Sequence, residues 1–557
     1  MSENIDITKY FSENKNGKVE EFFDQIKDMS ESNDSLSSLE AKSQSGREEE
    51  TAVTEDEPVV CKLFQKIEPK KTRDNDSTNF FDVISDTAGS NISAFGPPSK
   101  LISTEGILDA LPNFEESVPS TGNITEYERS RDAWIPPDQT RRQLIEMVTS
   151  PPGSYVPKKE YLTMPGVILE EDLKDPVYEA VQHYLGPGEA ARRKVLTSSE
   201  VTQDDRGIRE LIQAGCYSAA VNLTKTLLTI YGQGAGRAGH PSKHTVHSIQ
   251  LWFTRLALLI KLRSFRVAHV EAEPFGDLDK PDMFFQFYPE LYGGRTGSMV
   301  PFSLRLLVAQ LPAYVEKHQL ALTKLYSLLA NIRKMLSNLE KELLEDGGPC
   351  VLSESVRKES IKFWTQRETR VLHYVVNTAL MYKDFSIAIE VMQTLIEKEE
   401  DQNKVRALQS ALGRILLQLG DLTFAEKLFS TAQLGLDTIG PRDYIDSGLL
   451  LLTQSNFQEA YHMFEKAYKL QPQSITAINN MSVCLLYLGR LKDSVLLLEE
   501  ALQRYPTLAV HESLILNLCT LYELQSSVCS QPKMKLLSLV SQYKGDGMNV
   551  GCIKLQM

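Results

Sequence analysis

Residues 441–508 consist of two consecutive segments of equal length, PRDYIDSGLLLLTQSNFQEAYHMFEKAYKLQPQS and ITAINNMSVCLLYLGRLKDSVLLLEEALQRYPTL, which follow one pattern. The matching positions are Gly448 and Ser482, Ala460 and Ser494, Phe464 and Leu498, Ala467 and Ala501, and Pro472 and Pro506. Small residues recur where two helices must approach closely, and large apolar residues recur where one helix covers another. Each segment therefore predicts a pair of packed helices, and the proline, which has no amide hydrogen, ends the second one.

A two-helix repeat of about 34 residues is typical of the tetratricopeptide (TPR) unit. Two further units precede the pair, at about 369–402 and 406–439, and the second of them carries Leu412, Gly413 and Ala425 at repeat positions. We therefore predict an all-α fold, a TPR-type helix–turn–helix solenoid with a long disordered acidic N-terminal segment. The function of such a fold should be the binding of partners, since solenoids present extended surfaces.

The rest of the chain divides by composition and periodicity. We predict a disordered acidic tail (1–130), an irregular transitional segment with short helices (131–205), divergent TPR-like helices (206–270), an aromatic and proline-rich loop (271–302), long helices (303–348), four TPR repeats (355–508), and closing helices with a tail (509–557).

The acidity of the chain belongs to its N-terminal segment. The net charge is −14, and residues 1–130 hold 27 acidic and 13 basic side chains, which already amounts to −14. Such a polar segment buries too little apolar surface to offset the entropy of ordering. The remaining residues are neutral overall, which argues against nucleic acid as a partner.

Two similar motifs stand out in the acidic tail, EFFDQI at 21–26 and NFFDVI at 79–84. Their paired aromatics, Phe22 with Phe23 and Phe80 with Phe81, are candidate partner-binding residues. The first copy resembles a two-phenylalanine motif that docks on endoplasmic-reticulum membrane receptors, but it departs from that motif at Gln25 and Lys27. Another linear motif and a chance match remain alternatives.

The aromatic loop at 271–302 has two interpretations. It contains the run MFFQFY, in which Phe284, Phe285 and Tyr288 are candidate partner contacts because aromatic residues dominate interface hot spots. The alternative is a loop that packs back onto the helices.

Leucines and one isoleucine between Leu322 and Leu343 recur in steps of three and four. This stripe predicts one long helix over 314–345, either buried within the solenoid or forming a coiled-coil seam with another chain.

The sequence shows no catalytic constellation. The run GAGRAG at 234–239 follows a predicted helix rather than a strand, so it indicates a flexible loop, not a nucleotide site. The nearby His240, His244 and His247 are expected in an exposed polar loop rather than around a metal ion. The Lys and second Arg of a chaperone carboxylate clamp are missing from the predicted repeat groove. We expect no enzyme activity and no cofactor.

Location is predicted from what the sequence lacks. The N-terminus has no apolar segment of the kind that signals secretion, and no apolar run is long enough to span a bilayer. Seven cysteines without a C-x-x-C pair indicate a reducing compartment. We expect a cytoplasmic protein.

Several irregular segments resemble a known family. WIP at 134–136, TSPPG at 149–153, LTMPG at 162–166, RELI at 209–212, LWF at 251–253, EPFG at 273–276 and GSMVPF at 297–302 resemble the subunit-twelve family of the trafficking protein particle (TRAPP) complex. The resemblance covers about 131–557.

This resemblance implies a non-enzymatic subunit of a vesicle tether that acts between the endoplasmic reticulum and the Golgi. It implies large metazoan subunits eight, eleven and thirteen and the small-subunit core as partners, and a peripheral location at the intermediate compartment and Golgi. It also implies a second role with kinetochore proteins in mitosis. The alternative function is a free-standing TPR adaptor or co-chaperone.

Overall fold

The computed structural model describes residues 126–151, 157–349, 353–433 and 439–555. The tail motifs around Phe22, Phe23, Phe80 and Phe81 lie outside the described residues. The first described helix, α1 (Glu126–Asp132), crosses the boundary expected at residue 130, because its end is tied to the body. Ser130 Oγ lies 3.0 Å from Ser360 Oγ, and the Asp132 carbonyl accepts a hydrogen bond from the Ser298 amide.

The segment expected to be transitional is part of the folded body. It contains α2 (Asp138–Thr149), α3 (Pro176–Tyr184) and α4 (Pro187–Arg192). Helix α3 begins as its sequence requires: Asp175 accepts the amides of Val177 and Tyr178, and Pro176 occupies the first turn.

Two helix pairs follow, at the positions where divergent repeats are predicted. They are α5 (Asp205–Gln213) with α6 (Tyr217–Ile230), and α7 (Val246–Lys261) with α8 (Phe265–Ala272). Trp252 is fully buried in α7. Arg255 of α7 and Glu271 of α8 form a fully buried two-pronged ion pair, with N–O distances of 2.7 and 2.8 Å. Because both charges are paired and hydrogen-bonded, this pair fixes the packing of α7 against α8.

The aromatic loop folds into short turns of helix. These are the 3-10 turns Glu273–Phe275, Pro281–Met283 and Phe285–Phe287 and the single α-turn α9 (Pro289–Tyr292). The chain then continues through α10 (Phe302–Gln310), a 3-10 segment (Leu311–Val315) and α11 (His318–Glu340).

The leucine stripe is internal to this chain. Its members from Leu322 to Leu339 are buried or half-buried against neighbouring helices, in the same core as α12 (Glu354–Met381). The helix is shorter than predicted, since Leu311–Val315 forms a 3-10 segment and Leu343 lies beyond the last helical turn. Contacts within this chain, rather than a coiled-coil seam with another chain, therefore bury these side chains.

Residues 354–504 form four successive helix pairs. They are α12 with α13 (Phe385–Lys398), α14 (Gln402–Leu419) with α15 (Leu422–Gln433), α16 (Pro441–Thr453) with α17 (Phe457–Leu470), and α18 (Ile475–Tyr487) with α19 (Leu491–Arg504). Each helix packs on the one before it and the one after it. This arrangement confirms the all-α TPR-type solenoid.

The predicted repeat positions lie where helices touch. Gly413, Gly448 and Ser482 are buried in the first helices of their pairs, and Phe429, Phe464 and Leu498 are buried at the matching positions of the second helices. Leu412, Ala425, Ala460, Ala467 and Ala501 are also buried. Pro506 instead begins the short helix α20 (Pro506–Ala509), directly after α19 ends.

The last helices join the two ends of the body. Helices α21 (Glu512–Gln525) and α22 (Ser530–Tyr543) share one core with α3 and α4, in which Val177, Val181 and Leu537 are almost fully buried. They cover the final repeat, and they also hold the segment that we expected to be a transition. The solenoid is therefore closed on itself.

Polar contacts lock this closure. Asp546 accepts the amides of Tyr217 and Ser218 at 2.8 and 2.6 Å, at the first turn of α6. Arg193 donates to the carbonyls of Ser541 and Lys544, both at 2.8 Å. These bonds connect segments that are far apart in the sequence.

The described part of the chain contains isolated β-bridges but no β-strand. None of its helices has the length and apolar character needed to cross a membrane.

Candidate interaction site

The irregular motifs at 134, 273–279 and 297–305 come together in one polar core. Asp279 accepts the indole N–H of Trp134 at 2.8 Å and an Arg305 N–H at 2.7 Å. The Arg305 guanidinium also lies over the Trp134 ring, 4.1 Å from its centroid, and donates to Ser298 Oγ at 2.8 Å. Since Arg305 is 2% exposed, these contacts hold the loops rigidly together.

Gly297 is required at this junction. Its φ is +104°, and a Cβ there would lie 2.5 Å from the carbonyl oxygen of Asp132. Only glycine satisfies both conditions. The close approach places the end of α1 directly on the GSMVPF segment.

A second buried network corrects the expectation of an exposed histidine loop. His244 is fully buried, with Nε2 2.7 Å from Thr163 Oγ1, and Thr163 also donates to Asp282 at 2.8 Å. Burial lowers the pKa of His244 to about 4 and raises the pKa of Asp282 to about 6. The lowered pKa keeps His244 neutral. The hydrogen bonds among Thr163, His244 and Asp282 make the network a structural link between three loops.

The other two histidines differ from each other. His247 bonds to the Asp205 carboxylate at 2.8 Å and to the Tyr231 hydroxyl at 2.6 Å, whereas His240 is exposed. Among the described residues, no three His, Cys, Asp or Glu side chains are grouped as metal ligands.

The aromatic candidates of the 271–302 loop point inward. Phe284 and Phe285 are 1% and 2% exposed. Tyr288 is 9% exposed, and its hydroxyl accepts the His244 amide at 3.1 Å. A partner cannot reach these three side chains in this structure. The alternative in which the loop packs onto the helices describes them correctly.

The same loops form one wall of an open cleft of about 580 Å³. Helix α2 contributes Ile145 and Val148, which are 57% and 63% exposed. The turn at 344–348 and Trp134 also line it. An apolar cleft with a few polar groups is the usual form of a binding site.

Two charged groups in this cleft are incompletely paired. Arg129 Nη2 and Glu345 Oε2 lie 4.0 Å apart, beyond hydrogen-bond distance. Within the described residues, Arg129 Nη2 and Glu345 Oε1 are buried without a hydrogen-bond partner. Buried polar groups are normally bonded, so this pair is an exception within the described part of the chain.

Three apolar residues of α2 line the cleft, Leu144, Ile145 and Val148, and we did not identify a site there from the sequence. The structure buries only Leu144 and leaves the other two exposed. The sequence does hold a signal for this surface. A short surface helix needs only a narrow apolar stripe to pack, and α2 carries more apolar residues than such a stripe requires.

The inner face of the repeats offers no clamp for a carboxylate terminus among the predicted positions. Arg414 donates to Asp446 at 2.7 Å, and Ser410 donates to the same carboxylate at 2.6 Å. Asn479 accepts from Asn517 at 2.8 Å. These bonds join neighbouring helices, whereas Arg414 Nη2 and Asn480 Nδ2 are buried without a hydrogen-bond partner within the described residues.

Known proteins similar to this chain include a named complex subunit from two mammals. The chain is 41% identical over 438 residues to mouse trafficking protein particle complex subunit 12, and 39% identical over 467 residues to the human protein. Over these residues the chain is similar to trafficking protein particle complex subunit 12. The matches cover 78% and 83% of this chain, so they confirm the resemblance seen in the loops.

The kinship to subunit 12 has a limited extent. The chain spans 55% of the length of the mouse relative and 63% of the human one. No protein-family model matches the chain.

The solved structures that were matched to this chain have low sequence identity and low structural similarity to it. Yeast Tom70 is 14% identical, with a TM-score of 0.25 over 82% of this chain and 85% of its own. The APC/C hetero-tetramer Cut9–Hcn1 is also 14% identical, with a TM-score of 0.26 over 66% and 68%. TM-scores this low carry no argument about this chain.

Proposed function

We propose that this chain is a non-enzymatic scaffold subunit of a TRAPP-type vesicle-tethering complex that acts in transport from the endoplasmic reticulum to the Golgi. The observation that carries the proposal is its identity of about 40% to two subunits 12 over some four fifths of its length. The closed helical solenoid supports a binding role, since extended helical surfaces suit assembly.

The proposed partners follow from the kinship. They are the large subunits eight, eleven and thirteen and the small-subunit core, and the proposed location is cytoplasmic and peripheral at the intermediate compartment and Golgi. A second role in kinetochore assembly rests on the same kinship, without separate structural support. The Lys and second Arg of a carboxylate clamp are missing from the predicted groove positions, and Ser410 and Arg414 bond to Asp446 between neighbouring helices, which favours the tethering role over a co-chaperone role.

Affinity purification of the tagged chain from interphase and mitotic cells tests this proposal. Recovery of trafficking-particle subunits in stoichiometric amounts from interphase cells supports tethering. Recovery of kinetochore proteins from the mitotic sample alone supports the second role. A chain that recovers chaperones but no trafficking-particle subunit contradicts the proposal.

A further inference from the structure

The two ends of the folded body meet at a contact made mainly of backbone groups. Residues 545–547, Gly-Asp-Gly, lie against the turn between α5 and α6. The Gly215 carbonyl accepts the Asp546 amide at 3.1 Å, and a Cβ on Gly545 would lie 2.4 Å from that carbonyl oxygen. The Asp546 carboxylate accepts the first two amides of α6. We call this contact the joint.

Two further contacts across the joint are weak. A Cβ on Gly547 would lie 3.0 Å from the Tyr217 ring, so the loop touches one aromatic side chain. Arg263, just after α7, pairs with Glu512 of α21, but the two side chains are 45% and 31% exposed. Exposed ion pairs contribute little to stability. The joint is therefore held mainly by polar groups, whose hydrogen bonds water can replace.

Apolar packing divides at the same place. Helices α5–α8 bury their apolar side chains in a first core that continues as far as α15, whereas α19–α22 bury theirs in a second core. A third cluster in α16–α18 connects the two through the repeats. Because exposing apolar surface is the main cost of local opening, separation at the joint costs less than separation through the repeats.

The α3–α4 hairpin (176–192) belongs to the second core, although its neighbours in sequence belong to the first. Val177 and Ala190 are fully buried in the second core. Leu173 before the hairpin and Val195 after it pack against the first core. The chain therefore crosses from the first core to the second just before the hairpin and returns just after it.

A buried ion pair holds the two crossings together. Arg193 Nε donates to Asp175 at 2.7 Å, and both side chains are at most 8% exposed. Arg193 also donates to two carbonyls at the end of α22. The hairpin is thus fixed to the second core. The next residues outward, Lys174 and Lys194, are exposed and form the links to the first core.

We propose that the closed solenoid opens at the joint. The α3–α4 hairpin, α20–α22 and residues 545–553 move as one block, which turns about Lys174 and Lys194 away from α5 and α6 while both cores stay intact. The repeats can bend to allow this motion, since each repeat contacts only its neighbours. The motion goes beyond the proposed function, because it concerns the shape of the subunit rather than the partners that it joins.

Distance measurements on the full-length chain test the proposal. Spin-labelled unnatural amino acids replace Ile230 at the end of α6 and Val528 in the block, which are 75% and 78% exposed. The wild-type chain should show a minor population with a longer distance between these labels. Gly545→Ala should enlarge it, because its methyl group collides with Gly215 across the joint. A pair at Leu508 and Val528, within the block, should keep one distance in both chains.

Hydrogen–deuterium exchange is the second measurement. In Gly545→Ala the amides of 215–220 should exchange about tenfold faster than in the wild-type chain, whereas those of 177–192 should not change. Asp546→Asn, which removes one acceptor from the joint, should act in the same way. Gly188→Ala, inside the hairpin with no atom within 4 Å of its Cβ position, is the matched control and should leave 215–220 unchanged. Circular dichroism should show that each variant keeps its helical content.

Three results would overturn the proposal. A single distance between residues 230 and 528, in the wild-type chain and in Gly545→Ala, would show that only the 545–547 loop moves. Faster exchange of 177–192 in Gly545→Ala would show that the hairpin leaves the second core. A longer-distance population that grows with chain concentration would show that the hairpin exchanges between two copies of the chain.

Discussion

A methyl group on Gly448 would lie 2.6 Å from Cε1 of Phe464, closer than carbon atoms can approach. The preceding unit repeats the relationship, since a Cβ on Gly413 would lie 2.4 Å from Cε1 of Phe429. In the next unit Ser482 replaces glycine and the smaller Leu498 replaces phenylalanine. The size of the residue on the first helix is thus matched to the size of the residue on the second.

This match predicts the effect of Gly448→Ala. The added methyl group collides with a fully buried ring, so we expect a loss of about 1–3 kcal/mol in the free energy of unfolding. Adding Phe464→Leu should recover part of that loss, because it empties the space that the methyl group needs. Urea denaturation of the single and double variants measures the coupling, and strictly additive losses would contradict the match.

Gly188→Ala is the control for this substitution. Gly188 lies in helix α4 with no atom within 4 Å of its Cβ position. Alanine should be neutral or slightly stabilising there, since it favours helix more than glycine does.

Repeat burial predicts a contrast between two leucines of helix α19. Leu498 is fully buried, and Leu498→Ala should cost about 2–5 kcal/mol. Leu496, on the same helix, is 54% exposed, and Leu496→Ala should change stability by less than about 0.5 kcal/mol. Chemical denaturation of both variants checks the register, and equal losses would show that the register is wrong.

The closure at Asp546 predicts a pH dependence. Burial raises the pKa of this carboxyl to about 6, although two backbone amides donate to it. Its ordinary value is 3.8, so the folded chain binds the proton more tightly than the unfolded chain does. The contribution of this group to stability is therefore largest below that value and falls as pH rises through about 6.

Asp546→Asn removes this titration. The difference in denaturation midpoint between the wild-type chain and the variant should shift in favour of the wild type as pH falls from 7 to 5. A difference that stays constant over this range would contradict the pKa shift. Asp493, an exposed residue at the start of α19, provides a matched position for an Asp→Asn substitution outside the closure.

Truncation separates the tail from the body. Deleting residues 1–125 should leave the helical content and unfolding midpoint of the body unchanged, because α1 remains. Deleting residues 1–133 also removes the Asp132 ion pair with Arg295 and its bond to the Ser298 amide, so the midpoint should fall. Circular dichroism melts of both truncations test this, and equal midpoints would show that α1 does not hold the GSMVPF loop.

The repeats could be predicted from sequence because each helix contacts its neighbours at a fixed spacing. The separation between Gly448 and Phe464 is the same as that between Gly413 and Phe429. The closure could not be predicted, since the contact of Asp546 with Tyr217 joins distant residues that carry no shared periodicity. The segment around Val177 looked like a transition for the same reason: its helix packs against α22 and the turn at Val550–Ile553, near the other end of the chain.

For the candidate site, too, the local motifs could be predicted from the sequence but their long-range contacts could not. The motifs that resemble subunit twelve were visible, but their convergence on Asp279 and Arg305 was not. The polar spacing of His244 suggested solvent exposure, whereas Thr163 and Asp282, from distant loops, bury it. Phe284 and its neighbour suggested a contact surface, but the folded loop uses them as core.

Our proposal that this chain is a structural subunit of a TRAPP-type particle predicts that it assembles with the other subunits. Native mass spectrometry of the purified chain mixed with purified subunits eight, eleven and thirteen tests it most directly. We expect one particle that contains this chain in a fixed stoichiometry, with or without residues 1–125. A folded chain that remains separate from all three subunits would contradict the proposed function.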